Sequence, residues 1–406
     1  MEFKKMIKNS LYLFVGTMMT ASMTGCNDDS NTSDTTSSSS QEQILQSVIT
    51  DYVDCTIIPT YRGMADASIE LHNACLAMRN AGTGNVTTEM VQTAGNAWIK
   101  ARRYWELSEA WLYGAAGDYN IDPHIDSWPL DKTAMDNLLN NPAQMAQMDP
   151  DGYYVGNMLG YGLLGFHAIE YMLFELDASG TESLPHHVNY TEPELNYLAA
   201  VAGDLRNQCI RLEASWAGMD HITNDKQQIL TDAELEPSFD YGSSMKNAGS
   251  GGSKYINYNE AVQELIVGAQ DIADEVGGLK IGNPTGHGEE DDPDYIESPY
   301  SLNSITDFTD NIISIRNAYQ GCQDADDYIK PVNSSLSSYV QSLNPELDTR
   351  MKNAIQDAID KIGQMREPFA KTARDPQYDA INQAAIAACN NVTDVLNEVL
   401  NLLTAH

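Results

Sequence analysis

From Gln41 onward, apolar residues recur at alternating three- and four-residue steps, the spacing that lines one face of an α-helix. Val91, Ala94, Trp98, Ala101, Trp105, Ser108 and Leu112 make one such stripe. Ile305, Phe308, Ile312, Ile315 and Tyr319 make another, with Gly321 placed as a C-terminal cap. Met351, Ile355, Ala358, Ile362 and Met365 repeat the pattern, and Tyr378 begins a last stripe that runs through Val392 and Val399 to Leu402. The two-residue alternation of strands is nearly absent, so the pattern predicts an all-α protein. Four long helices are expected at about 42–82 (broken near Pro59), 88–116, 153–177 and 192–218. Four more are expected at about 255–278, 300–341 (broken near 322), 345–366 and 377–404. Gly- and Ser-rich residues 242–253 and Gly-, Pro- and acid-rich residues 282–294 read as long connections. Two four-helix bundles, 41–240 and 254–406, are the simplest packing of these helices.

One stripe carries chemistry. Gly165-Phe166-His167-Ala168-Ile169-Glu170 sets an imidazole and a carboxylate three residues apart within an apolar run. On a helix such positions lie about 60° apart, with Cβ atoms roughly 5–6 Å apart, so the two side chains can share an ion or bond each other. A buried pair that satisfies itself is the competing reading, because burying either group alone is costly. The spacing is also cheap: His287-Gly-Glu-Glu290 repeats it in a Gly/Pro loop. Neither zinc-peptidase helix motif is matched, since Tyr171 follows Glu170, and the ExxH pairs of di-iron bundles are absent. Gly152, Gly156 and Gly160, at four-residue intervals, would let one face of the helix touch a neighbouring backbone. Third partners can be named. Glu109 shares its helix with Arg102 and Arg103, which makes an intrahelical ion pair its plainest role. Asp126 precedes Trp128-Pro129 and could cap a short helix, and Glu297-Ser298 could cap a helix starting near Ser301. The sharper expectation is that Glu297 crosses to His167. His124, His186, His187 and His221 stand in polar or loop contexts and are expected at the surface.

Composition narrows the function classes. The 406 residues hold 23 basic and 58 acidic side chains, a formal charge of −35 that repels nucleic acid and draws in cations. Lys4, Lys5 and Lys8 precede a short apolar run, Leu11 to Met23, as in an export signal. The following Met23-Thr24-Gly25-Cys26 resembles a bacterial lipobox, and Asn27-Asp28-Asp29-Ser30 resembles the acidic export tags of Bacteroidetes surface lipoproteins. The resemblance implies a signal peptide over 1–25, lipidation of Cys26 and a polar tether over 26–40. Residues 1–25 carry three Lys and one Glu (net +2), so their removal would take −35 to −37. No later segment is apolar for long enough to span a bilayer. The five other cysteines, Cys55, Cys75, Cys209, Cys322 and Cys389, are scattered without a CxxC and read mostly as small buried hydrophobes.

Gly165 to Glu170 is similar to the GxHxxE signature of the imelysin family, also classed as a peptidase family. Ala101-Arg102-Arg103 with Ser108-Glu109-Ala110, Ile125-Asp126-Ser127-Trp128-Pro129, and Glu297-Ser298 with Ser301, Asp307 and Asn311 match it further. The resemblance spans essentially residues 41–404. It implies two helical bundles related by internal duplication, a periplasmic or cell-surface outer-membrane lipoprotein, and a link to iron uptake. The expected site lies around His167 and Glu170, with Glu297, Asp126, Glu109 and Ser298 beside them and Gly165 as a structural member. Its ligand would be an iron or zinc ion, a metal complex, or a component of an iron-uptake system. A zinc-dependent peptidase and a non-catalytic scaffold are the alternatives.

Overall fold

The computed structural model describes residues 34–321 and 334–405, with side chains from residue 40. Cys26, the expected signal peptide, most of the tether and Cys322 lie outside the described residues. Among the described residues the fold is helical apart from one two-stranded antiparallel ribbon. Among the described residues no helix is long and apolar enough to cross a membrane.

Helix α1 (Asp34–Tyr52) passes through a π-helical turn, Val53–Ile57, into α2 (Ile58–Ala81). Pro59 sits in the first turn of α2, where its missing N–H is tolerated, so the expected break is a local rewinding. Helix α3 (Thr88–Glu106) begins on Thr87, whose hydroxyl accepts from the amide of Met90. It ends ten residues before the expected 116, and Glu109–Trp111 forms a separate 3-10 turn. One local and one tertiary bond explain the difference. Ser108 Oγ donates to the Trp105 carbonyl at 2.7 Å, and the Ala110 amide donates to Ser314 Oγ at 3.0 Å.

The single helix expected over 153–177 is likewise broken. It resolves into Tyr153–Met158, a 3-10 turn at Tyr161–Leu163, and α4 (Gly165–Leu173). Strand β1 (Phe174–Leu176) follows and pairs with β2 (Ser183–Pro185), Phe174 opposite Pro185. The glycines account for the breaks only in part. A Cβ on Gly152 would lie 2.1 Å from the Asp204 amide nitrogen, and one on Gly156 2.2 Å from Asp204 Oδ1. Gly160 has nothing within 4 Å, so it makes no such approach.

Helix α5 (Glu192–Ala217) starts on a Thr191/Glu194 capping box and ends at Gly218, φ +90°. Its Ala- and Gly-rich middle is buried all round, packed by α2 on one side and α4 on another. The later helices are α6 (Tyr258–Asp274), α7 (Ser304–Gln320), α8 (Leu336–Leu343), α9 (Pro345–Ile362) and α10 (Asp379–Thr404). Helices α9 and α10 pack together, α6 lies on α10, and α7 on α6 and α9. Helices α3 and α7 also touch, and the candidate site is built at that meeting. Gly321 caps α7 at φ +76°. Cys75, Cys209 and Cys389 are buried free thiols, and Cys55 is half-buried.

Candidate functional site

Arg102, on α3, is the hub of the site. Its side chain is fully buried and bonds carboxylates from three other parts of the chain. Nη2 lies 2.6 Å from Glu297 Oε1 and 2.6 Å from Glu106 Oε1, one turn along the same helix. Nη1 donates to Asp126 Oδ1, and Nε lies 3.4 Å from Asp307 Oδ2. Lys280, also buried, places Nζ 3.2 Å from Glu297 Oε1 and 3.1 Å from Asn311 Oδ1. Burial opposes a charge on either cation, yet the surrounding carboxylates push both pKa values well above their ordinary range.

Asp126 links this cluster to the GxHxxE helix. Trp105 Nε1 donates to its Oδ2 at 2.7 Å, and His167 Nε2 lies 3.1 Å from its Oδ1, off the line of a straight hydrogen bond. The other imidazole nitrogen, Nδ1, is 3.5 Å from Glu170 Oε2. Burial alone would discharge His167, but the Asp126 and Glu170 carboxylates beside its two ring nitrogens outweigh it and raise the pKa to about 9. For Asp126 burial is outweighed by Arg102, which holds it below the usual carboxylate range.

Gly165 sets this approach. It opens α4 at φ +73°, and a Cβ there would lie 2.0 Å from the carbonyl oxygen of Ile125, the residue before Asp126. Only glycine lets the two backbones meet so closely. Glu170 faces the other way, into the 297–303 loop. Its Oε1 accepts from the amides of Tyr300 (2.9 Å) and Ser301 (2.8 Å) and from Ser301 Oγ (2.8 Å). Ser298 (φ +48°) and Leu302 (φ +56°) hold that loop in left-handed backbone, a strained conformation that turns both amides to one oxygen.

His167 and Glu170 also form part of the lining of a cleft of about 410 Å³. Its walls include Trp128, Pro129, Lys132 and Tyr300. Trp128 packs on Tyr295 at a 38° tilt with ring centroids 3.8 Å apart, and Lys132 Nζ sits over the rings of Tyr171 and Tyr300 at 5.4 and 5.0 Å.

Six carboxyl groups (Glu106, Glu109, Asp126, Glu170, Glu297 and Asp307) thus crowd around Arg102, Lys280 and His167. The imbalance marks the acids: burial pushes Glu106 and Glu109 well above the carboxylate range and takes Asp307 to about 7. Glu297 Oε2 is buried with no hydrogen-bond partner among the described residues. One ligand atom each from Asp126, His167 and Glu297 lie within 4.8 Å of one another, as do those of Glu106, Glu297 and Asp307. Carboxylate oxygen with imidazole nitrogen suits iron, zinc or manganese.

Several expected roles change. Glu109 is not half of an intrahelical pair: it lies beyond the end of α3, Arg102 is taken by Glu106, and Arg103 approaches Asp310 at 3.8 Å. Glu297 and Ser298 do not cap α7, which starts at Ser304 with no side-chain cap. Ser298 Oγ instead donates to Asp307 Oδ2 at 2.5 Å. Asp126 does follow the short helix Ile121–Ile125, but its carboxylate turns to Arg102 and Trp105. His124 is not at the surface; it is buried with Nε2 2.8 Å from Asp204 Oδ2. Arg102 as hub, Glu106 and Lys280 were not legible as site residues. The available signal was charge on an apolar face: Arg102 and Glu106 adjoin the Trp98–Ala101–Trp105 stripe, and Lys280 stands alone in Val-Gly-Gly-Leu-Lys-Ile.

The fold is thus helical, with a buried ion cluster where α3 meets α7 and, beside it, a cleft lined by residues 128–132, by His167 and Glu170 of α4 and by residues 293–300. The chain belongs to the imelysin family, whose model matches residues 57–396. It is similar to iron-regulated protein A of Synechococcus elongatus, 27% identical over 367 residues that cover 89% of this chain and 88% of that one. It is also similar to the crystal structure of a protein described as an iron-regulated protein A precursor from Parabacteroides distasonis. There the TM-score is 0.71 at 28% identity, covering 89% of this chain and 95% of that one. An imelysin-like protein from Psychrobacter arcticum shares the fold, with TM-score 0.59 at 16% identity over 87% of this chain and 93% of that one.

Proposed function

We propose that this protein is a lipid-anchored accessory of iron acquisition in the bacterial cell envelope, binding a metal ion or small metal complex at the cleft over His167 and Glu170. The observation that carries the metal part is the unpartnered, buried Oε2 of Glu297 beside His167, in a cluster where carboxyl groups outnumber cations. A bound cation would balance that charge and supply the missing partner. Glu297, Asp126 and His167 would hold it, and Arg102 and Lys280 would fix the carboxylates' positions. The iron part rests on the names of the similar proteins and on the charge of −35, which concentrates cations.

The zinc-peptidase alternative draws less support from these residues. Glu170 Oε1 already accepts three hydrogen bonds, and there is no second histidine on α4 to complete a catalytic set. The scaffold alternative predicts that the ion cluster takes up no metal.

Calorimetric titration of Fe²⁺, Fe³⁺ and Zn²⁺ into the protein and its His167→Ala and Glu297→Gln variants tests the site. The expected result is a metal equivalent present in the parent and lost from both variants while they remain folded by circular dichroism. Equal heats in all three proteins would discard the assignment. Envelope anchoring is tested separately, by metabolic labelling with a fatty acid that should tag the parent and not Cys26→Ser.

A further inference from the structure

The β1–β2 ribbon carries a second group of ligating side chains that the cleft does not use. Glu175 projects from β1, and His186 and His187 follow β2 directly, so the Phe174–Pro185 pairing brings all three together. His187 Nδ1 lies 2.7 Å from His186 Nδ1 and 3.9 Å from Glu175 Oε2. The His187 amide donates to the same Glu175 oxygen at 3.2 Å. One ligand atom from each residue falls within 4.8 Å of the other two.

The arrangement is held from behind. The His186 amide donates to the Leu173 carbonyl at 2.9 Å, which ties the group to the end of α4. Both imidazoles lean on Tyr190, with centroids at 5.2 and 6.3 Å, and the Tyr190 hydroxyl donates to the Met172 carbonyl at 2.6 Å. Two Nδ1 atoms 2.7 Å apart cannot both point lone pairs at each other, so one carries the shared proton. Two nitrogens on one tetrahedral metal, each bonded at about 2.0 Å, stand about 3.3 Å apart. The two nitrogens therefore need to part by about 0.6 Å and the rings to turn until both lone pairs converge on one point, with the ring proton moved to Nε2.

We propose that Glu175, His186 and His187 form a surface site for a late first-row divalent metal, zinc or copper in preference to calcium or magnesium. Two imidazoles and one carboxylate select for that class, and solvent completes the coordination. The side chains of Glu175 and His187 are 41% and 51% exposed, so an ion reaches them without any opening of the fold.

The test is isothermal titration of Zn²⁺ into the intact protein in detergent, with and without His167→Ala. The ribbon site should give one zinc equivalent that persists in His167→Ala and disappears in His186→Ala/His187→Ala. Glu175→Gln, which replaces one atom, should weaken that equivalent at least tenfold, and it decides the matter if the histidine variant misfolds. Zinc binding lost only with His167→Ala, or unchanged by all three ribbon substitutions, would overturn the ribbon site without touching the cleft assignment.

Discussion

At Gly165 the requirement is for a missing atom. The backbone sits at φ +73° with the Ile125 carbonyl 2.0 Å from where a Cβ would stand. Gly165→Ala should therefore cost about 2–5 kcal/mol, combining the left-handed penalty with overpacking against backbone that cannot yield. The fall in urea midpoint, at unchanged slope, measures it. Arg102 presents the opposite case, a charge that must be present. Arg102→Met would leave Glu106, Asp126, Glu297 and Asp307 facing one another without their common cation, at a cost of about 3–5 kcal/mol. That loss should shrink on acidification as the carboxylates protonate, which unfolding curves at pH 7 and pH 5 would show. The two residues were unequally legible. Gly165 stood inside a recognisable motif, whereas Arg102 looked like one end of a local ion pair, because spacing along a helix cannot register partners some 200 residues away.

Among the elements, the 297–303 loop does what a helix could not. A helix start at Ser301 would have pointed its first amides along its own axis; the observed loop turns those of Tyr300 and Ser301 onto Glu170. Ser301→Ala removes one of three donors and should cost about 1–2 kcal/mol, while Glu170→Ala strands two backbone amides and should cost more. In the double variant the Ser301 change should add almost nothing, and that cycle isolates the contact. The apolar stripes located α5, α7, α9 and α10 to within a few residues, since each is fixed by its own periodicity. They failed at 107–116 and 153–177. There the Ala110 amide bonds Ser314 on α7, and the left-handed Gly165 lies against the Ile125 carbonyl, contacts with distant segments that spacing does not show. The ribbon was missed for a related reason, three-residue strands being too short to show alternation.

Over the whole molecule, stability should depend on pH through a group that does not line the cleft. His72 is buried with Nε2 2.7 Å from the Pro150 carbonyl and Nδ1 3.0 Å from Arg206 Nη1. The guanidinium can only donate, so Nδ1 accepts and Nε2 carries the proton. Burial first, and Arg206 second, depress the pKa from 6.5 to about 4. Between those values the unfolded chain binds the extra proton and the fold does not. The contribution is thus complete above pH 6.5 and falls by about 3 kcal/mol as pH drops to 4. His72→Gln should lack that part of the slope in denaturant titrations across the range.

The convergence of positions 106, 126, 297 and 307 on one guanidinium also bears on how the chain comes to be folded during synthesis. Until residues 297–307 have emerged, Arg102 has only Glu106 and Asp126 to meet it, and Glu170 has no loop to receive. The first two hundred residues should accordingly stay loosely packed around this point while the ribosome is still working. The ion cluster then acts as a latch that closes late, and a truncated chain ending before Glu297 is the form most exposed to proteases.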